Sequence, residues 1–258
     1  MLNPFNNPEV QEQLSVLFSN LAGDIWATLY STVLATIFAY IIGLPLGILL
    51  VTGEKGGVRP LPGALMKVLN FVINILRSVP FLILMIMAIP LSRLILGTSV
   101  GTNAMIPPLV IAAFPFVARM VESSLREVDH GVLEAAQAMG ASPFQIVRKV
   151  LLPEALPSLL TSATTVTITI LGYGAMAGII GGNGLGATAI NYGYYRNQPV
   201  ILYGAVIVLV ILVQIIQSAG THTAVGSDKR LTKKSRRKGL RDANRQVSRD
   251  KRVPPGAM

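Results

Sequence analysis

Long apolar runs separated by short polar stretches fill the chain from about residue 25 to residue 216. A helix needs about 20 largely apolar residues to cross roughly 30 Å of hydrocarbon, and most of these runs come close to that length. The pattern therefore predicts an all-α membrane protein with about five transmembrane helices. The predicted spans cover residues 25–51, 80–96, 104–120, 159–180 and 200–216.

The second span is the least regular of the five. The apolar stretch 65–96 would make a helix of about 48 Å, which is longer than one crossing requires. Only the segment Arg77-Ser78-Val79-Pro80 interrupts it. We therefore predict one crossing, mainly residues 80–96, bent again at Pro90 and preceded by an interfacial or protein-buried helix.

Glycines and prolines mark two other spans. Gly43 and Gly47 lie four residues apart near the end of the first span, a spacing that permits close helix contact. Prolines 107, 108 and 115 fall inside the third span. They predict an irregular helix that is buried against neighbouring helices.

Composition supports the membrane class and isolates a tail. Hydrophobic residues make up 52% of the chain and charged residues 13%, whereas soluble domains carry about 25% charge. Residues 221–258 hold twelve Lys and Arg against three Asp, so +9 of the net charge of +10 lies there. We predict a segment 1–24 outside the cytosol, a membrane domain 25–220 and a basic, disordered tail 221–258. The absence of cysteine excludes disulfides and thiolate metal sites.

Basic residues also predict the orientation. Residues 1–24 and the turn 97–103 hold no Lys or Arg, and residues 181–198 hold only Arg196. The loop 52–62, the central stretch 122–157 and the tail carry most of the others. The positive-inside rule therefore places the N-terminus outside and the C-terminus in the cytosol.

The stretch 122–157 is the longest one without a span, and it encodes two short helices. Gly140 is a C-terminal stop for the first helix. Ser142 can cap the second, with Pro143 at its first position and Gln145 completing a capping box. We predict that this second helix ends near residue 152, limited or bent by the prolines that follow. The residues predicted to line one face of the first helix are Val132, Ala135, Ala136 and Met139.

The same stretch resembles the "EAA" segment of ABC-importer permeases: EAA, three residues, Gly, nine residues, Ile, one residue and Leu-Pro. Only Val150 departs from it, replacing Ile conservatively. In that family the segment fits a cleft of the ATPase subunit. The resemblance implies a coupling role, with the small residues forming the contact and Glu134 orienting it. The implied coupling residues are Glu134, Ala135, Ala136, Met139, Gly140, Val150, Leu152 and Pro153.

Further segments resemble the permease subfamily of methionine importers. They include residues 74–81, 115–122, 138–157 and 181–194, and the likeness extends over roughly residues 26–220. Asp129 departs from the subfamily, which commonly has Pro there. The resemblance implies a type I ABC-importer permease fold in a bacterial plasma membrane. It also implies D- or L-methionine as substrate, although another small amino acid or a peptide stays open.

The resemblance implies partners as well. They are a second copy of the permease, two cytosolic ATPase subunits, an extracytoplasmic substrate-binding protein and membrane lipid; no nucleic acid is expected. The chain contains no GxxxxGK[ST] loop, so ATP and Mg²⁺ are expected on the ATPase. We predict no catalytic, cofactor or metal site in this chain, which makes it a transporter subunit rather than an enzyme.

Candidates for the transport path keep two interpretations each. Arg77 is either an anchor at the cytosolic interface or part of a gate or subunit contact. Gly174, Gly178 and Gly182 recur every four residues, as does Gly186. This spacing suits either packing within one subunit or a two-fold interface or pore.

Two other function classes are alternatives: a stand-alone channel or ion-coupled carrier, and a structural or assembly membrane protein. An ion-coupled carrier usually needs a carboxylate inside the membrane, and the five predicted spans contain none. A structural membrane protein would not account for the coupling segment.

Overall fold

The computed structural model describes residues 8–227, and no β-strand occurs among them. Nine α-helices follow in order: α1 Pro8–Thr52, α2 Gly63–Ser78, α3 Phe81–Leu96, α4 Thr102–Arg126, α5 His130–Ala138, α6 Pro143–Ile146, α7 Leu152–Met176, α8 Leu185–Thr188 and α9 Pro199–Ser227. Most of the predicted tail lies outside the described residues.

Four helices are long and apolar enough to cross a membrane: α1, α4, α9 and the continuous helix Pro143–Met176 that contains α6 and α7. The pair α2 and α3 is bent by 107° and adds a fifth span if the two form one broken crossing. This confirms four to five spans and the predicted break at residues 77–80. Helix α3 continues through Pro90 without a break, so the second predicted bend stays a prediction.

Among the described residues, four helices extend beyond the predicted spans: α1, α4, α9 and the continuous helix Pro143–Met176. The first begins at Pro8, well before residue 25, so no helix break marks the predicted boundary of segment 1–24. Helix α4, which contains the third predicted span, continues to Arg126 and includes a buried carboxylate, Glu122. Asp24 likewise lies within α1, just before the first predicted span. The absence of carboxylates therefore holds for the predicted spans but not for the longer helices that contain them.

The prolines after the second coupling helix do not end it. A π-helical turn, Val147–Leu151, precedes Pro153, and the N–H of Leu152 donates to the carbonyl of Val147, five residues back. This wider turn accommodates the missing donor and the ring of Pro153. The helix therefore runs through Pro153 and Pro157 into α7, and the prediction that it ends near residue 152 was wrong.

Helix α4 lies at the centre of the core, against α1, α3 and α7. A Cβ atom on Gly43 would lie 2.7 Å from the Cβ of Val117, and one on Gly47 would lie 2.7 Å from the carbonyl of Ala118. The glycine pair thus allows the close contact of α1 and α4 predicted from its spacing. Burial of Pro108 and Pro115 agrees with the predicted protein environment of this helix.

The helix directions define two ends of the molecule. Since Gly43 meets Val117 and Gly47 meets Val121, α1 and α4 run parallel and terminate together beside α5. We call this the α5 end. At the other end, which we call the α8 end, Gly184 approaches Thr28 of α1. Thr28 and Thr52 are separated by about 36 Å along α1, close to the thickness of a bilayer core.

Candidate functional site

Helix α5 begins and ends with specific caps. The carboxylate of Asp129 accepts a hydrogen bond from the N–H of Gly131 at 2.7 Å, so it caps the helix where the subfamily commonly has Pro. At the other end Gly140 has φ +76°, its N–H donates to Gln137 and the N–H of Ala141 donates to Ala136. These two bonds form a Schellman motif and confirm Gly140 as the stop.

The second helix starts as its sequence predicts. The N–H of Gln145 donates to the hydroxyl of Ser142 at 3.4 Å, and the N–H of Ser142 donates to the side chain of Gln145 at 2.9 Å. Pro143 occupies the first turn, and Ile146 and Leu151 are buried beneath it. The turn between α5 and α6 is thus held by local bonds, while apolar side chains fix it to the rest of the subunit.

The predicted coupling residues divide by exposure. Met139 is 81% exposed, whereas Ala136 is 3% exposed and packs into the subunit. Ala136 therefore cannot form the contact with a partner that was inferred for it. Three of the four residues predicted to share one face, Val132, Ala135 and Met139, are exposed. The fourth, Ala136, is buried on the side of the half-buried Leu133. Of the remaining predicted residues, Glu134, Gly140 and Pro153 are exposed, and Val150 and Leu152 are half-buried.

One residue of this surface was missed. Phe144 is 70% exposed and lies in the first turn of α6, directly after the capping box. With Val132, Ala135, Met139 and Gly140 it forms an exposed, largely apolar patch, which we call the α5–α6 patch. A large aromatic residue following a capped helix start was the available signal, because nothing within the helix requires it there.

At the α5 end, charged and polar side chains link α4 to α2 and to the loop after α1. Glu122 is 8% exposed and accepts from Arg119 Nη1 at 2.7 Å and from Arg126 Nη2 at 2.8 Å. Arg126 also donates through Nη1 to Glu54, which follows α1, at 3.0 Å. Arg119 Nη2 donates to the side-chain oxygens of Asn70 and Asn74 on α2, both at 2.8 Å. None of these six residues was predicted to be functional. The bonds that join Arg119 to α2 and Arg126 to Glu54 connect residues 49 and 72 positions apart along the chain.

The candidates for the path lie elsewhere. Arg77 is exposed at the break between α2 and α3 and lines a cavity of about 310 Å³ together with Phe116 and Tyr173. The ring of Tyr173 stacks on that of Phe81 with centroids 3.8 Å apart. The cavity does not distinguish an anchoring Arg77 from a gating one.

The glycines that recur every four residues from Gly174 to Gly186 do not all have the same surroundings. A Cβ atom on Gly178 would lie 2.4 Å from the Cα of Ala187, and one on Gly186 would lie 2.2 Å from the Cα of Ala175. These two glycines therefore pack within the subunit, against each other's helical segments. Gly182 is buried, whereas a Cβ on Gly174 would meet no atom within 4 Å. Only Gly174 keeps open space on its face.

Comparison with known proteins identifies the family. The family model described as "binding-protein-dependent transport system inner membrane component" matches residues 43–221. The probable D-methionine transport system permease protein MetI of Vibrio cholerae is 53% identical over 196 residues, which are 76% of this chain and 86% of that protein. The D-methionine transport system permease protein MetI of Escherichia coli K12 is 47% identical over 158 residues, which are 61% of this chain and 72% of that protein.

Solved structures agree. An inward-facing structure of the MetNI methionine ABC transporter has 44% sequence identity and a TM-score of 0.79, covering 81% of this chain and 96% of that one. An amino acid ABC transporter crystallised with histidines shares the fold, with a TM-score of 0.63 and 19% identity over 90% of this chain. The all-helical permease fold and the membrane location expected from the sequence are confirmed. The chain belongs to the family of binding-protein-dependent transport system inner membrane components.

Proposed function

We propose that this chain is the permease subunit of an ATP-driven importer that carries methionine, in its D or L form or both, into the cytosol. The proposal for the substrate is supported by the names of its relatives in Vibrio cholerae and Escherichia coli. Two copies of the chain would enclose the path, with a substrate-binding protein delivering the amino acid from outside. The chain itself would carry out no covalent chemistry.

The α5–α6 patch is the observation that carries the coupling role. Met139 and Phe144 are exposed on either side of a turn that has only small side chains. Another protein can therefore approach the backbone of this turn closely. Exposed apolar side chains grouped at a polar end of a membrane protein are typical of an interface. We infer that each of two ATPase subunits binds one such patch and also holds the ATP and Mg²⁺.

Orientation follows from the same assignment. Helices α1 and α4 terminate at the α5 end, where the basic loop after α1 and the coupling residues lie together. The positive-inside rule favours this end in the cytosol, with residues 1–24 outside and the tail 221–258 inside. ATP binding would close the ATPases, move the two patches and shift the helices between outward- and inward-open states. Nucleotide can drive this shift only through its different affinity for the two states.

The docking role is tested by co-purifying the chain with the ATPase encoded beside it. Met139→Glu should lower the bound ATPase about tenfold, because it places an unpaired charge in an apolar contact. Met139→Leu keeps an apolar side chain at the same exposed position and should bind as the native chain does. Gly140→Trp should also block docking, although its positive φ adds strain within the loop. Native ATPase binding in Met139→Glu would contradict the docking role.

The substrate is tested separately, in proteoliposomes that contain the permease, the ATPase and the binding protein. Labelled methionine should enter only with ATP, and unlabelled D- and L-methionine should compete more strongly than other amino acids. ATP-dependent uptake that is competed best by another amino acid or by a short peptide would reassign the substrate. Absence of any ATP-dependent uptake would contradict the importer function itself.

A further inference from the structure

Helix α2 is attached to the subunit by a small apolar cluster and by two polar side chains. Only two of its residues, Met66 and Ile73, are buried, and most of its apolar side chains are exposed. Between them, Asn70 and Asn74 lie one helical turn apart and both accept from the same nitrogen of Arg119, at 2.8 Å each. A hydrogen bond is directional, whereas an apolar contact tolerates sliding, so this pair of bonds fixes the position of α2 along α4.

The bonds continue from Arg119 to the α5 end. Arg119 and Arg126 share the two oxygens of Glu122, and Arg126 is paired with Glu54. Glu54 and Arg126 also line a cavity of about 200 Å³ whose other walls include residues of α5, among them Leu133 and Gln137. A series of polar contacts therefore runs from Glu54 and Arg126 to α2, and the wall of this cavity lies between its first members and α5. We call Glu54, Arg126, Glu122, Arg119, Asn70 and Asn74 the polar relay.

Two features indicate which bonds of the relay stay in place and which can change partners. The carboxylate of Glu122 is nearly buried, so it needs its two guanidinium partners in every state that the helix adopts. Arg119 Nε, by contrast, is buried and has no hydrogen-bond partner in this conformation. A buried donor without an acceptor costs free energy. Arg119 would therefore gain stability from a new hydrogen-bond partner if α2 or α5 moved.

We propose that the polar relay positions α2, and with it the 107° bend before α3, according to the position of α5. Motion of the coupling helix would then change the cavity that α5 shares with Glu54 and Arg126, and would reach the bent pair through the side-chain bonds of the relay. This inference rests on the proposed importer function, because it assigns the relay to the step that links ATP hydrolysis to movement of the helices. The six residues act through others and are positioning residues.

The test is the amount of methionine imported per ATP hydrolysed, in proteoliposomes holding the complete transporter. The variant Asn70→Ala with Asn74→Ala removes the acceptors on α2 and leaves Glu122 paired with both arginines. We expect ATP hydrolysis to stay within about twofold of native and import per ATP to fall on the order of tenfold. Asn74→Asp retains an acceptor for Arg119 and should preserve native coupling. Glu127→Gln, an exposed carboxylate that the relay bonds do not include, is the matched control.

The outcomes separate the relay from the proposed function. If the native transporter imports nothing, the importer function fails before the relay is tested. If the native transporter works and the double variant keeps the native import per ATP, the relay is overturned. A parallel loss of ATPase activity and import, with the ratio unchanged, also overturns it, since that is the result of a merely structural role. Should the double variant fail to assemble, the single variant Asn74→Ala at an exposed position decides in the same way.

Discussion

The two ends of this permease are held together by different means. At the α8 end, the backbone of Gly178 contacts that of Ala187, and the backbone of Gly186 contacts that of Ala175, so these segments pack closely through small residues. At the α5 end, arginine and glutamate side chains span the gaps between helices, and Met139 and Phe144 stay exposed. The bilayer thickness along α1 separates the two arrangements.

The difference matches the demands on each end. Backbone contact leaves no room for sliding, because any movement replaces van der Waals contact with overlap or a void. Long charged side chains can exchange partners while remaining paired, so they tolerate discrete changes in helix position. The α8 end therefore provides a rigid reference, and the α5 end provides the parts that can respond to a partner.

The largest expected effect tests the tight packing at the α8 end. Gly186→Ala would place a Cβ 2.2 Å from the Cα of Ala175, so α7 and α8 must separate. We expect a loss of about 3 kcal/mol in stability, measured as the thermal midpoint of the purified transporter. Gly174→Ala is the matched control: its Cβ meets nothing within 4 Å, and the better helix propensity should stabilise by up to about 1 kcal/mol. Equal midpoints for the two variants would show that the close contact of Gly186 with Ala175 does not stabilise the α8 end.

Local signals in the sequence predicted the α5 end well up to a point. The capping box at Ser142 and the stop at Gly140 were correct, because each depends on residues within a few positions of one another. The burial of Ala136 was not predicted, since five apolar residues in a nine-residue helix allow more than one inward face. Only the packing of Leu133 and Ile146 beneath the helix decides between them.

Long-range pairs could not be predicted at all. The bond between Arg126 and Glu54 joins residues 72 positions apart, and the bond between Arg119 and Asn70 joins residues 49 apart. Sequence spacing within a helix does not encode such contacts, since they depend on how α1, α2 and α4 are arranged in space. The glycine spacing was informative only in part: it predicted close packing but not that Gly174 would face open space.

A smaller effect tests how α8 is attached to α1. The hydroxyl of Thr28 accepts from the buried N–H of Leu185 at 3.0 Å while donating to the carbonyl of Asp24. Thr28→Val keeps the shape but leaves that N–H without an acceptor, which should cost about 1–2 kcal/mol of thermal stability. The hydroxyl of Thr36 donates only to the carbonyl of Thr32 within α1. Its removal in Thr36→Val should therefore change the stability much less. A loss as large in Thr36→Val would show that the bond to α8 is not what matters.

The smallest effect concerns the local cap at the α5 end. Ser142→Ala removes the acceptor for the N–H of Gln145 and should cost about 1 kcal/mol, felt mainly in the first turn of α6. Amide hydrogen exchange of Gln145 should therefore become about fivefold faster, while amides of α7 stay protected. Ser123→Ala, at an exposed position in α4, is the control and should leave exchange at Gln145 unchanged. If the ATPase covers this turn, its binding should restore much of the lost protection in Ser142→Ala, because a partner that binds only the ordered turn stabilises it by mass action. An unchanged exchange rate on ATPase binding would show that the cap lies outside the contact, and would confine the docking surface to α5.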